Sequence, residues 1–131
     1  MKRETRQRRA IRQVVMTATF PLSPVQVMNE AQKIIPKLGL ATVYRTIKDL
    51  LEEKVIREVH ICGDAPRYEL VSKGHHHHFY CFGCGKIFEI SGCHPEVNDL
   101  VPAGFTQDFH ELTFYGCCKD CTAKNALCSA E

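Results

Sequence analysis

The chain has 131 residues, a formal net charge of +2, eight cysteines and seven histidines. No apolar run approaches the roughly 20 residues of a membrane-spanning helix, and the first residues lack the apolar core of a secretory signal. These features exclude a membrane helix and argue against a disulfide-stapled secreted protein. We therefore expect a cytoplasmic protein whose cysteines serve metal or thiol chemistry.

The charge is divided unevenly along the chain. Residues 1–60 carry 12 Lys/Arg against 6 Asp/Glu, a net charge of +6, whereas residues 61–131 carry 5 against 9, a net charge of −4. This contrast predicts a nucleic-acid-binding module in residues 1–72, followed by a metal-binding module in residues 73–131. Ordinary surface charge is the alternative explanation for the basic half.

Three helices are predicted in the basic half. Apolar residues recur at helical spacing over residues 5–18. Ser23 before Pro24 is a typical start for a second helix, which we expect to end at about residue 34. A third amphipathic helix covers residues 40–51.

A β-hairpin is predicted after the third helix. Apolar residues alternate over residues 54–61 and 67–71, and a Gly-Asp-Ala-Pro turn separates the two segments. Three helices and a hairpin are typical of a winged helix-turn-helix, in which the third helix enters the DNA major groove.

The third predicted helix carries a polar face beside its apolar stripe. Tyr44, Arg45 and Lys48 share this face, and Arg and Tyr side chains suit contacts with phosphates and base edges. An exposed helix with ordinary polar residues is the alternative. Arg8 in the first helix has the same two interpretations, a phosphate contact or a solvated cation.

Two Cys-x-x-Cys pairs lie far apart, Cys81 with Cys84 and Cys118 with Cys121. This spacing predicts a tetrahedral zinc site, closed to chemistry and therefore structural, because both thiolates of a pair can reach one ion. Gly85 suits the tight turn of such a knuckle, where we expect a Cβ to be in the way. A thioredoxin-like redox motif is the alternative, but it leaves the second pair unexplained.

Four consecutive histidines precede the first cysteine pair. In a strand their side chains alternate, with His76 and His78 on one side and His75 and His77 on the other. Glu69 and Glu89 lie nearby in sequence, and two imidazoles with two carboxylates suit Fe(II), Mn(II) or Zn(II). A merely solvated run is one alternative; a purification tag is another, although tags are usually terminal.

Further secondary structure is predicted beyond the first cysteine pair: a strand over residues 86–90, a short helix over residues 95–100 and a long strand over residues 105–115. The long strand would carry His110 on one face. Glu96 and His110 are therefore candidates to join His75 or His77 in an additional metal cluster.

These motifs resemble those of the Fur (ferric uptake regulator) family of bacterial metal-responsive repressors, over about residues 3–121. The resemblance rests on Arg-x-Thr-x-Gln-Arg at residues 3–8, on Leu-Ala-Thr-Val-Tyr-Arg at residues 40–45, and on the histidines and cysteines of residues 76–86. His110 and the Tyr-Gly-x-Cys-x-x-Cys segment at residues 115–121 complete it.

The resemblance implies an α+β protein. Its N-terminal winged helix-turn-helix would be followed by a small α/β dimerisation domain with a structural zinc. It implies a repressor of metal uptake or homeostasis genes, which binds a palindromic operator in double-stranded DNA as a homodimer when a regulatory metal is bound. We expect neither enzymatic activity nor a membrane partner.

The resemblance also implies roles for individual residues. It places a structural zinc ion, Zn(II), on Cys81, Cys84, Cys118 and Cys121. It places a regulatory divalent metal, Fe(II), Zn(II) or Mn(II), on Glu69, His76, His78 and Glu89. It implies an additional metal on members of the set His75, His77, Glu96 and His110. It implies that Tyr44 and Arg45 contact DNA, and we expect the DNA-contacting set to be Arg8, Thr42, Tyr44, Arg45 and Lys48.

Some residues have no assigned role, and other functions remain open. Many family members have a histidine ligand just before the second helix, where this chain has Pro21 and Leu22, so His60 or Cys62 is an alternative ligand. The remaining unassigned cysteines are Cys93, Cys117 and Cys128. One rival function is a zinc-containing thiol or peroxide redox switch. A second is a small zinc hydrolase that uses two of the histidines, although the chain lacks an H-E-x-x-H helix.

Overall fold

The computed structural model describes residues 5–124, and the chain divides into two compact units, Met1–Lys73 and Gly74–Glu131. The first unit consists of three helices and a hairpin, and the second is built on a three-stranded sheet. Within the described part of the chain, no helix has both the length and the apolar character needed to cross a bilayer.

The helices of the first unit are α1 (Arg6–Thr17), α2 (Pro24–Ala31) and α3 (Leu40–Glu52). The Thr5 hydroxyl caps α1 by accepting a hydrogen bond from the Arg8 backbone N–H at 3.1 Å. Ser23 and Gln26 form a reciprocal capping box at the start of α2. Helix α2 ends earlier than the sequence predicts, because the chain turns at residues 32–34.

The hairpin consists of β1 (Ile56–Val59) and β2 (Arg67–Leu70), which pair antiparallel. Leu22, in the segment before α2, bridges to Tyr68 of β2 and so ties the helices to the hairpin. The buried core of this unit consists of Ile11, Val14, Val15, Val27, Ala31, Leu38, Val43, Ile47, Leu50, Ile56 and Tyr68. The predicted apolar faces of the three helices therefore meet in one core.

The second unit has β3 (His77–Cys81) at the centre of its sheet. Strand β4 (Ile87–Ile90) pairs antiparallel with one edge of β3, and β5 (Thr113–Gly116) pairs parallel with the other. A short helix, α4 (Lys119–Ala123), follows β5. The segment Pro95–Leu100, between β4 and β5, is a 3-10 helix rather than an α-helix.

The long strand predicted over residues 105–115 is wrong for most of its length, because only Thr113–Gly116 is a strand. Strand β3 offers a partner of only five residues, and β5 pairs with its last four. Residues 105–112 are not part of a strand: the Leu112 carbonyl accepts one hydrogen bond from the His78 backbone N–H at 3.1 Å, and a local bond joins Gln107 to His110. His110 therefore reaches the metal-binding side chains from a loop rather than from a strand.

Candidate metal centres and nucleic-acid interface

The four cysteines of the two Cys-x-x-Cys pairs come together in the second unit. Their sulfur atoms lie within 4.8 Å of one another, and Sγ of Cys84 is 3.9 Å from Sγ of Cys118. Two thiolates on a tetrahedral zinc, each about 2.3 Å from the ion, would be about 3.8 Å apart. The four-cysteine group (Cys81, Cys84, Cys118 and Cys121) therefore has the composition and spacing of a structural zinc site.

Backbone geometry supports this group. The N–H groups of Cys84 and Cys118 donate to Cys81 Sγ at 3.5 and 3.3 Å. Gly85 has φ +72° and donates to the Cys81 carbonyl at 2.8 Å, which closes the turn. A Cβ built on Gly85 would contact nothing within 4 Å, so our steric explanation is wrong. The turn favours glycine because of its left-handed backbone conformation.

The cysteines of this group ionise unequally in the absence of a cation. Burial opposes ionisation of Cys81, but the backbone N–H groups of Cys118 and Cys84 and the neighbouring thiols lower its pKa to about 6. Contact with the Cys81 sulfur, followed by burial, raises the pKa of Cys121 to about 12. One thiolate thus suppresses the next, and four thiolates together require a cation to balance their charge.

The histidine run alternates across β3 as expected. The rings of His76 and His78 lie on one side, with centroids 4.7 Å apart. Glu89 is paired with His78 across the β3–β4 ladder, and its Oε1 lies 4.0 Å from His76 Nε2. This side of the sheet therefore brings together two imidazoles and one carboxylate of the predicted regulatory set.

Glu69, the fourth predicted member of the regulatory set, belongs to β2 in the first unit. Within that unit its Oε1 accepts a hydrogen bond from Nε of Arg57 at 3.2 Å. The carboxylate is therefore held in one orientation by a neighbouring strand.

A third set of ligand atoms lies on the other side of β3. The mixed group (His75, His77, Cys93 and His110) has its ligand atoms within 4.8 Å of one another. Cys93 occupies the place that we expected Glu96 to take, and the exposed Glu96 is not a member of the group. Cys93 has no second cysteine at metal-ligand spacing, so the sequence pattern did not indicate that it could be a metal ligand.

His77 is the most buried imidazole of the mixed group, with 4% of its surface exposed. Burial, followed by the neighbouring rings of His75 and His110, lowers the pKa of His77. The ring therefore stays neutral, which is the form that binds a metal ion.

The polar face of α3 is exposed in the first unit. Tyr44 is 52% exposed, and Arg45 and Lys48 are also exposed. The Thr42 hydroxyl accepts a hydrogen bond from Nη2 of Arg45 at 3.1 Å, which orients the guanidinium. Residues of α1 and α3, Arg45 and Lys48 among them, line a cleft of about 460 Å³. A cationic cleft beside an exposed tyrosine suits nucleic-acid phosphates.

Arg8 is not a freely solvated cation. Its Nη1 lies 2.8 Å from Oδ2 of Asp49, and the side chains are only 15% and 8% exposed. This ion pair fastens α1 to α3 beside the same cleft. Neither sequence interpretation of Arg8 included this role.

The other proposed ligand positions of the first half do not converge. His60 lies 3.5 Å from Glu58, and Cys62 is an exposed thiol. Among residues 5–124, neither belongs to a cluster of metal-ligand atoms, and neither does Cys117. Cys128 lies outside the described residues.

A winged helix, a four-cysteine group and a histidine-rich sheet are thus present together. The model of the Ferric uptake regulator family matches residues 2–115. The chain belongs to this family. Fur-family proteins are metal-responsive transcriptional regulators, which confirms the expected fold class and the general function.

Individual relatives agree with this assignment. The chain is 32% identical over 127 residues to the ferric uptake regulation protein of Campylobacter jejuni, covering 93% of this chain and 81% of that protein. It is 37% identical over 95 residues to the protein of the same name from Bacillus subtilis, covering 68% and 64%. The structure of the Helicobacter pylori ferric uptake regulator, with three functional metal-binding sites, matches with a TM-score of 0.78 and 26% identity, covering 92% and 82%.

Proposed function

We propose that this Fur-family chain is a dimeric repressor whose operator binding depends on a regulatory metal separate from its structural zinc. The observation that carries the proposal is the separation of two ligand chemistries in the second unit. Four sulfurs form one group, and His76, His78 and Glu89 lie together on one side of the β3–β4 pair. A four-sulfur site holds its ion tightly and suits a structural role. A nitrogen–oxygen site exchanges its ion more readily and suits metal sensing.

The structural ion would be Zn(II) on Cys81, Cys84, Cys118 and Cys121. Four thiolates leave no open coordination position, so this ion would stabilise the fold without reacting. The same reasoning disfavours a zinc hydrolase at this group, because hydrolysis needs a bound water.

The regulatory ion would bind His76, His78 and Glu89, with Glu69 as the fourth ligand. The ring spacing of the two histidines and the approach of Glu89 support the first three. Glu69 is supported by its chemistry and by its position in the last strand of the first unit. Fe(II), Mn(II) and Zn(II) all accept this mixture of nitrogen and oxygen ligands.

A metal bound by Glu69 as well as by the histidines would link the two units. A metal that favours the DNA-binding arrangement by about 1–3 kcal/mol raises operator affinity roughly 5–150-fold. Cellular metal concentration would thereby set repression of metal uptake or homeostasis genes.

A second copy of the chain would supply the symmetry that a palindromic operator needs. The second unit exposes large apolar side chains, including Phe105, Phe109 and Phe114. Apolar surface of this kind is typical of protein–protein interfaces, and it supports dimerisation through this unit.

A gel-shift titration of the dimer tests metal gating. Operator affinity should rise with one of Fe(II), Mn(II) or Zn(II) and fall on chelation of that ion. The matched variant His76→Ala should keep its structural zinc and lose the response. Equal affinity in every lane would refute metal gating. Affinity that responds reversibly to peroxide but not to metal would favour the thiol redox switch instead.

The recognition face is tested separately. Tyr44→Ala and Arg45→Ala should each weaken operator binding by about 1–3 kcal/mol without changing metal content. Lys33→Ala is the matched control, because Lys33 is an exposed cation of the same unit paired with Glu30 away from the cleft. If the α3 variants bind as tightly as this control, another surface contacts DNA.

A further inference from the structure

The mixed group contains a sulfur ligand, Cys93, whereas the predicted regulatory set contains only nitrogen and oxygen ligands. Cys93 lies in the turn after β4, where Gly92 has φ +78° and reverses the chain toward β3. Sγ of Cys93 lies 3.2 Å from Nε2 of His77 and 3.1 Å from Nε2 of His110. Three imidazoles and one thiol therefore point at a common centre.

The spacing fits a small tetrahedral ion. With Zn–N of about 2.0–2.1 Å and Zn–S of about 2.3 Å, two nitrogens would be about 3.3 Å apart and nitrogen and sulfur about 3.6 Å apart. Nε2 of His75 lies 3.2 Å from Nε2 of His110, and both sulfur–nitrogen distances are a few tenths shorter than the expected value. A slight expansion of the group would admit the ion without moving the backbone.

Outer contacts orient one of these ligands. Nδ1 of His110 lies 2.9 Å from Oε1 of Gln107, and Nε2 of Gln107 donates to Oδ1 of Asn98 at 2.9 Å. Because Gln107 Oε1 can only accept, His110 carries its proton on Nδ1. Its Nε2 then has a free lone pair directed at Cys93. An amide that fixes the tautomer and direction of an imidazole is typical of metal sites.

The buried ring of His77 has little polar compensation other than this centre. Its Nδ1 is buried and has no hydrogen-bond partner within the described residues, and its Nε2 contacts Cys93. Burial of an uncompensated imidazole is costly, so a metal bond at Nε2 would offset part of that cost.

We propose that Cys93 is a thiolate ligand that makes the mixed group a closed, zinc-selective site. Thiolates favour Zn(II) over Fe(II) and Mn(II), which prefer nitrogen and oxygen ligands. Four protein ligands complete a tetrahedron and leave no position for water. A carboxylate in the place of Cys93 would remove this preference.

This second zinc would act on the regulatory metal, a consequence that rests on the proposed function. His77 and His78 are consecutive residues of β3, and their side chains lie on opposite sides. Zinc at the mixed group would fix the segment that carries His76 and His78, and so lower the ordering cost of metal binding at the regulatory set. Zinc would therefore be a co-effector whatever metal the regulatory set senses.

The ligand test uses the full-length dimer and needs no DNA. Zinc and manganese affinities are measured by competition with a chromophoric chelator. Cys93→Ser should weaken one zinc site by at least about 100-fold, since loss of even an outer contact costs about 10–100-fold. Cys93→Asp, which replaces the thiolate with a hard oxygen ligand, should narrow the preference for zinc over manganese. Glu96→Gln is the matched control and should behave as wild type.

Alkylation of the wild-type protein gives a second readout. Zinc should protect Cys93 from iodoacetamide, measured on its own peptide by mass spectrometry, and His110→Ala should abolish that protection. Equal labelling of Cys93 with and without zinc would overturn the proposal. So would a loss of zinc affinity in Glu96→Gln as large as that in Cys93→Ser.

The outcomes separate this inference from the proposed function. Protection of Cys93 without any metal effect on operator binding would leave the zinc site standing and refute metal gating. Metal-gated binding that Cys93→Ser leaves unchanged at every zinc concentration would refute the co-effector role.

Discussion

The two units bury different kinds of side chain. The first encloses an apolar core drawn from all three helices and the hairpin. In the second, the buried residues among positions 74–124 are His77, His78, Cys81, Ile87 and Cys121. Four of these five carry metal-ligand atoms. Burial of apolar side chains stabilises the first unit. In the second unit, bound metal ions would offset the cost of burying imidazoles and thiols.

This difference predicts that the first unit folds without a metal ion and that the second unit needs one. Ile87 is the one aliphatic side chain buried among positions 74–124, and a module of about sixty residues with so little apolar core is too small to be stable on core packing alone. Experiments that remove the stabilising element of one unit at a time test this difference.

The largest expected effect is removal of the structural ion. Cys81→Ser, or strong chelation, should unfold the second unit, since structural zinc contributes on the order of 10–16 kcal/mol in finger-type peptides. Amide hydrogen exchange should show lost protection in β3–β5 and retained protection in α1–α3. The control Cys62→Ser removes an exposed thiol of the first unit and should change neither. A fully protected second unit in zinc-free protein would contradict a structural role.

A cavity in the first unit should have the opposite pattern. Leu50→Ala removes a fully buried core side chain and should cost about 2–5 kcal/mol of unfolding free energy in that unit. Zinc content should stay unchanged. Met16→Ala, on the exposed side of α1, is the control and should cost less than about 1 kcal/mol. Denaturant titration with a metal assay measures both; joint loss of stability and zinc would show that the units are not independent.

The buried ion pair between α1 and α3 should have an intermediate effect. Asp49→Asn leaves the Arg8 guanidinium without its partner and should destabilise the first unit by up to about 3 kcal/mol. Glu53→Gln is a matched control, because the Arg12–Glu53 pair joins α1 to the end of α3 with more exposed side chains, 31% and 47%, and it should cost less than about 1 kcal/mol. Equal effects in thermal unfolding would mean that burial of the Arg8–Asp49 pair is unimportant.

The smallest effect is expected at the cysteine turn. Gly85→Ala places a Cβ on a left-handed residue and should weaken zinc binding by about 1–2 kcal/mol. Gly85→Asn, which tolerates this conformation better, should recover part of the loss. Zinc competition measures both variants. An alanine variant with wild-type affinity would show that the turn adapts without strain.

The elements with a local signal were predicted well. Ser23 before Pro24 set the start of α2, and the apolar stripe of α3 set its buried face. The paired Cys-x-x-Cys spacing predicted the four-cysteine group, because a short loop places both sulfurs of a pair regardless of the remaining fold.

Contacts between distant segments were not predicted. Asp49 lies far along the chain from Arg8, and no local pattern indicates their ion pair. Cys93 reaches the mixed group through a glycine turn, and His110 reaches it from a loop that was expected to be a strand. In each case the tertiary arrangement, rather than a periodic pattern, decides which side chains meet.

The parallel pairing of β5 with β3 has a consequence for synthesis of the protein. Cys81 is registered with Gly116, so the second cysteine pair meets the first only after residue 121 has been made. The helices and hairpin can fold while the ribosome is still translating, because the residues of their shared core all precede residue 73. Ion capture then follows the folding of the first unit, and a zinc-starved cell would accumulate molecules with a folded first unit and an unfolded second unit.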